Sequence, residues 1–162
     1  MPRAATPSYI SPPLYKKIIQ AMPIPCVDLL IYRGDSFLLL KRTNEPAKGL
    51  WFVPGGRIHK NETIIHAARR KAIQELGMEL IIDRVLGTYE VFFKTGPFGD
   101  EVHNIVITIL ARIKGNPKIK IDSQHTQYTF VNHASPDLHP YLVQILRDAR
   151  MIDSKRKIHA PK

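Results

Sequence analysis

The sequence predicts an α/β protein in which a mixed β-sheet lies between helices. Three observations support this fold class. The 162 residues, 44% of them hydrophobic, suffice for one domain with one core. Apolar runs of strand length recur between turn signals, and two segments, 62–76 and 136–151, carry helical patterns. Strands on both sides of a helix, with hairpins between them, are typical of a mixed sheet flanked by helices.

Residues 1–23 form a segment that precedes the predicted domain, 24–152. Residues 1–12 are rich in Pro, Ser and Thr, which predicts a loosely ordered lead-in. Ser11 followed by two prolines is typical of a helix start. Apolar residues then recur at helical spacing, at positions 14, 15, 18, 19 and 22, before prolines end the helix. The apolar stripe of this helix could pack on a second subunit.

Strands are predicted where short apolar runs end in turn residues. The first two runs, 27–32 and 37–40, are separated by Arg33-Gly34-Asp35-Ser36, which indicates a hairpin. A short strand at 51–53 follows, and Pro54-Gly55-Gly56 then turns the chain. The remaining predicted strands cover residues 80–82, 87–93, 103–113 and 128–131.

A helix is predicted over residues 62–76, which contain neither Pro nor Gly. Apolar residues recur at every fourth position and give it one buried stripe, at Ile64, Ala68, Ala72 and Leu76. Gly77 ends this helix. A second long helix over 136–151 closes the domain, and the basic residues of 153–162 are expected to form a solvated tail.

The net charge of +10 indicates a negatively charged partner, which is a phosphorylated metabolite, a nucleic acid or a membrane surface. No stripe of Lys and Arg interleaved with aromatic residues is present, which argues against nucleic acid. The apolar runs are far shorter than the ~20 residues of a membrane span, and the N-terminus lacks the apolar stretch of a secretory signal. Cys26 is the only cysteine, which excludes an internal disulfide and a multi-cysteine metal site and favours a reducing, cytoplasmic setting.

One stretch carries the pattern of a site for a metal ion and phosphate. A glycine turn at Gly56 precedes the helix predicted over 62–76, whose last turn carries Glu75. Such a carboxylate could hold Mg²⁺, because this ion takes about one or two protein carboxylates and fills its other positions with water and phosphate oxygens. Lys71 and Gln74 share the helical face of Glu75, and Glu75 is the only acidic residue among these three.

The spacing of this stretch resembles the box of the Nudix family, G-x5-E-x7-R-E-U-x-E-E-x-G-U, in which U is a bulky aliphatic residue. The matching residues are Gly56, Glu62, Arg70, Glu75, Gly77 and Met78. The resemblance implies the Nudix fold, a curved mixed sheet between helices. Lys71 and Gln74 stand where the box has glutamates, and the small Ala72 stands at its first U. The loss of two carboxylates leaves a site suited to one Mg²⁺, and Lys71 would repel a second cation.

Such a site belongs either to an inactive enzyme or to a branch that changed its reaction. The second possibility is favoured by a resemblance to GDP-mannose mannosyl hydrolases, which rests on residues 41–57, on the helix end Ala-Ile-Gln-Glu75-Leu-Gly and on Asp122-Ser-Gln124-His125. In that family, water attacks the anomeric carbon of the hexose, inverts it and releases GDP. A metal-bound diphosphate leaves without a protonated acid, so this reaction does not need a general acid. It does need a general base for the water and positive charge on the leaving group.

The resemblance implies a base and a set of metal ligands. His125 matches the general base, and the alternative is an exposed loop histidine. Glu75 matches a carboxylate ligand of Mg²⁺, with a surface helix charge as the alternative. Gln124 matches a neutral ligand and Gly55 contributes its backbone carbonyl.

The resemblance also implies groups that contact the substrate. Arg42 and Arg57 would place guanidinium groups on the diphosphate, whose oxygens suit their geometry. Asp28 interrupts an apolar strand and matches a carboxylate near the substrate, with an ordinary polar residue of an edge strand as the alternative. Glu62 and Arg70 are expected to pair structurally across loop and helix.

Further substrate-binding candidates depart from the pattern of that family. Asn104 stands where the family has a tyrosine, with His103 beside it as a possible substitute, and Val91 stands where the family has a histidine. Tyr89 and Phe92 lie in the region that would pack against guanine or sugar, although core burial is the expected role. The complete set of substrate-binding candidates is Lys41, Tyr89, His103 and Asn104.

Three functions therefore compete. The first is Mg²⁺-dependent hydrolysis of a nucleotide sugar at the sugar carbon, with GDP-mannose or a related GDP-hexose as substrate. The second is a MutT-type pyrophosphohydrolase that attacks phosphorus, against which the two absent glutamates argue. The third is a non-catalytic nucleotide-binding module. Because mannosyl hydrolases of this kind tend to dimerise, the resemblance also implies a homodimer.

Overall fold

The secondary structure comes from a computed structural model that describes residues 9–150. In chain order its elements are α1 (Pro12–Ala21), β1 (Ile24–Arg33), β2 (Ser36–Arg42), β3 (Trp51–Phe52), β4 (Gly55–Arg57), α2 (Ile64–Leu76), β5 (Leu80–Phe93), β6 (Val102–Ile113), β7 (His125–Val131) and α3 (Pro140–Asp148). The N-terminal lead-in up to residue 8, the end of the predicted domain at 151–152, which includes the last residue of the predicted closing helix, and the basic tail lie outside the described residues.

The strands form one mixed sheet in the order β3-β2-β1-β6-β5, to which β4 is added beside β1 and β7 beside β2. The central strand β1 runs antiparallel to β2 and parallel to β6. The predicted hairpin is confirmed, since Tyr32 pairs with Phe37 across a tight turn at Gly34, whose φ of 58° favours glycine. The predicted fold class, a mixed sheet flanked by helices, is confirmed.

Side chains of β1 are buried on both faces of the sheet. Val27, Leu29 and Ile31 belong to the core cluster that α2 covers. Cys26 and Leu30 point the opposite way, into the cluster that includes α1 and α3. A strand covered on both faces is apolar along most of its length, which explains why Asp28 is the only charged residue in 24–32.

Helix α2 presents small residues to the sheet, and Ala67, Ala68 and Ala72 are completely buried. It begins at Ile64, two residues later than predicted, because the side chain of Thr63 caps it by accepting a backbone hydrogen bond. Gly77 ends it in the left-handed conformation, as predicted.

Other element boundaries also differ from the prediction. The strands predicted at 80–82 and 87–93 are one strand, β5, whose register against β6 shifts twice. The predicted turn at 54–56 contains β4, which pairs with β1. Strand β7 begins at His125, where it pairs with the end of β2. Helix α3 is shorter than predicted because Pro140 occupies its first turn and His139 caps it.

The apolar stripe of α1 is divided between the core and the surface. Ile19 is buried, and Tyr15 and Ile18 pack against the same core cluster. Leu14 and Met22 stay exposed. Among residues 9–150, no helix combines the length and the apolar character that a membrane crossing requires.

Candidate active site

A cavity of about 410 Å³ opens where the first residues of β1 and β6 and the last residues of β5 meet at one edge of the sheet. Helices α1 and α2, strand β4 and the loop before β3 complete its walls. Its volume falls within the ~300–1,000 Å³ typical of small-ligand pockets. The predicted site residues that line it are Asp28, Arg42, Gly55, Arg57, Asn104 and Gln124.

The two arginines predicted to bind diphosphate both reach this cavity. Arg42 ends β2, and its Nε donates a hydrogen bond of 2.7 Å to the carbonyl of Pro46, which fixes the guanidinium against the loop. The guanidinium of Arg57 lies 4.1 Å from the centre of the Tyr15 ring, so α1 holds this side chain in place. Sequence reasoning missed Tyr15 as a site residue, since it was visible only as part of an apolar stripe.

Asp28 is a buried carboxyl group in the cavity wall. The hydroxyl of Tyr141 donates a 3.0 Å hydrogen bond to it and lies 2.8 Å from the Thr108 hydroxyl. Burial raises the pKa of Asp28 from 3.8 to about 7, although the Tyr141 hydrogen bond acts in the opposite direction. The alternative of an edge-strand residue is wrong, because β1 has neighbours on both sides.

Gly55 and Asp28 pack too closely for any side chain at position 55. A Cβ atom there would lie 2.0 Å from Oδ1 of Asp28. The backbone N–H of Gly55 donates a 3.1 Å hydrogen bond to Oε2 of Glu75, whose side chain is 2% exposed. The alternative of Glu75 as a surface charge is therefore wrong.

Lys71 forms an ion pair with Oε1 of Glu75. Its side chain crosses Gly56, where a Cβ atom would lie 3.1 Å from Cε of the lysine and 3.2 Å from its Nζ. Lys71 lines the cavity although the residue is only 9% exposed. The sequence predicted that this lysine would repel a second cation but not that it pairs with Glu75.

The donors available to a metal ion suit a single cation. Gln124 lines the cavity and offers an amide oxygen, whereas the predicted carboxylate ligand Glu75 does not line it and pairs with Lys71 and the N–H of Gly55. Residues 9–150 contain no group of three His, Cys, Asp or Glu side chains that could hold an ion by themselves. The Gln124 amide donates to Asp122 at 3.2 Å and accepts from Asn44 at 3.4 Å. One carboxylate and one amide fit a Mg²⁺ ion that completes its shell with water and diphosphate oxygens.

His125 is buried directly after Gln124, so the alternative of an exposed loop histidine is wrong. Its Nδ1 lies 2.7 Å from Oδ1 of Asp122. Among the described residues, its Nε2 is buried without a hydrogen-bond partner. The imidazole does not line the cavity. If Nδ1 carries the proton that Asp122 accepts, Nε2 is left with the lone pair of a base.

The remaining substrate-binding candidates do not line the cavity. Lys41 points away from Arg42 and lies over the Trp51 ring, with 5.6 Å between Nζ and the ring centre. The ring of His103 stacks on Phe92 at 4.3 Å. Tyr89 packs against the core as expected and donates a 2.8 Å hydrogen bond to Asp148.

The expected burial of Phe92 is wrong, because 62% of this residue is exposed. It alternates with Val91, which does line the cavity and is buried. Neighbouring residues of a strand point to opposite faces, so β5 turns only one of the two toward the site.

Glu62 and Arg70 form the expected structural pair. Arg70 donates to both carboxylate oxygens of Glu62, at 2.7 and 2.8 Å, and this interaction lowers the pKa of Glu62. Arg70 also donates to the carbonyl of Arg57 at 2.9 Å. The pair therefore ties α2 to the backbone that carries a phosphate-binding arginine.

Comparisons with known proteins agree with this geometry. The model of the NUDIX domain matches residues 22–149. The low-salt glycan biosynthesis protein Agl8 of Haloferax volcanii is 36% identical over 133 residues, which cover 82% of this chain and 85% of that protein. The ADP-ribose pyrophosphatase of Methanocaldococcus jannaschii is 29% identical over 68% of this chain and 64% of its own.

The fold is also found in solved structures. A NUDIX hydrolase from Nitrosomonas europaea superimposes with a TM-score of 0.64 at 19% identity, covering 80% of this chain and 89% of that one. Nudix proteins act on nucleotide-containing substrates and generally use divalent metal ions. With the domain model matching most of its length, the chain belongs to the Nudix hydrolase family.

Proposed function

We propose that the protein hydrolyses a nucleoside diphosphate sugar, GDP-mannose or a related GDP-hexose, and releases GDP and the free sugar. The observation that carries this proposal is the composition of the cavity. Two guanidinium groups, Arg42 and Arg57, reach it together with the buried carboxyl of Asp28. Helix α2, whose only carboxylate is Glu75, contributes Lys71 to the lining. This arrangement suits a bound diphosphate better than a cluster of metal ions that activates water at phosphorus.

In the proposed reaction, the oxygen of a water molecule attacks the anomeric carbon of the sugar. The bond between this carbon and the diphosphate oxygen breaks, and GDP leaves with the electron pair. Arg42 and Arg57 hold the diphosphate and neutralise the charge that develops on it. The carboxylate of Asp28, once ionised, stabilises positive charge at the sugar carbon.

The proton of the attacking water passes to Nε2 of His125, which Asp122 orients through Nδ1. Because the imidazole does not line the cavity, the proposed reaction requires residues 122–125 to shift when substrate binds. Catalytic hydrogen bonds often form only in the substrate complex. A Mg²⁺ ion held by Glu75, Gln124 and the Gly55 carbonyl would supply further positive charge to the leaving diphosphate.

The relatives support a nucleotide-linked substrate. The name of the protein from Haloferax volcanii refers to glycan biosynthesis, which agrees with a sugar nucleotide. The name of the protein from Methanocaldococcus jannaschii favours a second candidate, attack at phosphorus on ADP-ribose or a similar compound. A cytoplasmic location and a homodimer stay predictions from the sequence.

Product analysis tests the proposal. Purified protein is incubated with Mg²⁺ and a panel of GDP-hexoses, ADP-hexoses and ADP-ribose, and the phosphorus products are identified by ³¹P NMR. We expect GDP and free hexose from a GDP-hexose. Formation of GMP and hexose 1-phosphate would support the second candidate instead, and no turnover of any compound would indicate a binding module.

A further inference from the structure

Lys71 occupies one oxygen of the α2 carboxylate that is expected to hold a divalent cation. Its ammonium group pairs with Oε1 of Glu75, and the other oxygen of this carboxylate accepts the N–H of Gly55. Both oxygens therefore have partners within the chain. The site carries a cation of its own beside the carboxylate that is expected to hold Mg²⁺.

The lysine also lines the cavity that is proposed to bind the ligand. Its stem passes over Gly56, and its side chain is 11% exposed and lines the cavity that Arg42 and Arg57 enter. An ammonium group has three N–H donors, so the pair with Glu75 leaves donors for an anion. Arg70 also lines this cavity, but Glu62, Gln74 and the carbonyl of Arg57 accept its hydrogen bonds.

We propose that Lys71 is a built-in cation of the diphosphate site, which neutralises Glu75 and binds the diphosphate of a nucleotide without a divalent metal ion. The proposal rests on the proposed function in taking a nucleoside diphosphate as the ligand of the cavity. It assigns the lysine a substrate-binding role in addition to its repulsion of a second cation. A metal ion that binds Glu75 has to displace the ammonium group or share the carboxylate with it.

The test measures GDP binding by isothermal titration calorimetry in EDTA, with wild type, Lys71→Met and Lys114→Met. Methionine keeps an unbranched stem over Gly56 and removes the charge. Lys114 is 68% exposed and pairs with Glu79 at 3.8 Å beyond the far end of β6, so its replacement removes the same charge away from the cavity.

We expect wild type and Lys114→Met to bind GDP in EDTA, and Lys71→Met to bind at least about tenfold more weakly, the usual effect of losing one charge-assisted hydrogen bond. Equal affinity of Lys71→Met and wild type in EDTA would overturn the proposal. So would a wild type that binds GDP with Mg²⁺ but not in EDTA. A wild type that binds GDP under neither condition would contradict the proposed function as well.

Binding of Mn²⁺ without nucleotide, followed by electron paramagnetic resonance, gives an independent readout. Removal of the ammonium group frees Oε1 of Glu75, so Lys71→Met is expected to bind Mn²⁺ several-fold more tightly than wild type. If Lys71→Met bound neither GDP nor Mn²⁺, the site itself would be damaged. The charge-conserving Lys71→Arg then decides, because the proposal requires it to bind GDP in EDTA and is overturned if it does not.

Discussion

Replacing Asp28 by asparagine separates the effect of this carboxyl group on stability from its effect on activity. Asparagine has nearly the same shape and can still accept the hydrogen bond from the Tyr141 hydroxyl. It cannot ionise. In the folded protein the carboxyl is buried, whereas in the unfolded chain water surrounds it.

The size of the stability effect follows from the pKa of Asp28. This pKa rises from 3.8 to about 7 on folding, so the native state favours the protonated form. At about 1.4 kcal/mol per pH unit, the difference corresponds to at most about 4 kcal/mol. The contribution of the protonated Asp28 carboxyl to the free energy of unfolding is fully present below pH 3.8. It falls as the pH rises toward 7 and is lost above this value. The wild type therefore carries the destabilisation at pH 8, and Asp28→Asn does not.

Urea unfolding at pH values from 5 to 9 measures the difference. We expect the stability of Asp28→Asn relative to wild type to increase with pH up to about 7 and then level off, while turnover of a GDP-hexose falls by ~100-fold or more. Asp35→Asn, at an exposed position in the turn before β2, is the control. A pH-independent difference between Asp28→Asn and wild type would refute the assignment of a buried, weakly acidic carboxyl.

Three further substitutions test other parts of the account. His125→Gln should lower kcat by ~100-fold or more without weakening GDP binding. The control, His133→Gln at an exposed position, should leave kcat unchanged. If the pH profiles of kcat were the same for His125→Gln and wild type, His125 would not be the base. Thr63→Ala removes the N-cap of α2 and should reduce the free energy of unfolding by ~1 kcal/mol, measured by urea titration. Gly55→Ala places Cβ against the Asp28 carboxyl, so it should lower both stability and turnover, and wild-type behaviour in both assays would contradict the packing described here.

Local sequence patterns predicted the elements whose contacts are close in the chain. The hairpin around Gly34 and the helix that Gly77 ends depend on turn and capping residues beside them. Strand β5 was divided in the prediction because its central residues are exposed, and only pairing with β6 makes it continuous. The predicted α3 was too long because it was started at residue 136, whereas the helix begins at Pro140.

The motif and its resemblance predicted part of the site, because the spacing of a motif fixes which residues lie on the same turn. Asp28 and Arg57 were identified from the resemblance and not from the motif spacing, and they do line the cavity. Tyr141, which holds Asp28, is 113 residues away in sequence and carries no local signal. The pairing of Lys71 with Glu75 could not be predicted for another reason. A lysine on a helix is usually solvated, and this one is buried only by tertiary packing.

Hydrolysis in ¹⁸O-labelled water tests the central claim most directly, because it identifies the atom that water attacks. Purified protein is incubated with a GDP-hexose and Mg²⁺ in labelled water, and the products are analysed by mass spectrometry. The controls are a sample without enzyme and one quenched early, since free hexoses exchange their anomeric oxygen slowly. Attack at the sugar carbon predicts ¹⁸O in the free hexose and none in GDP. Label in a phosphate product would contradict it and would show that the enzyme attacks phosphorus.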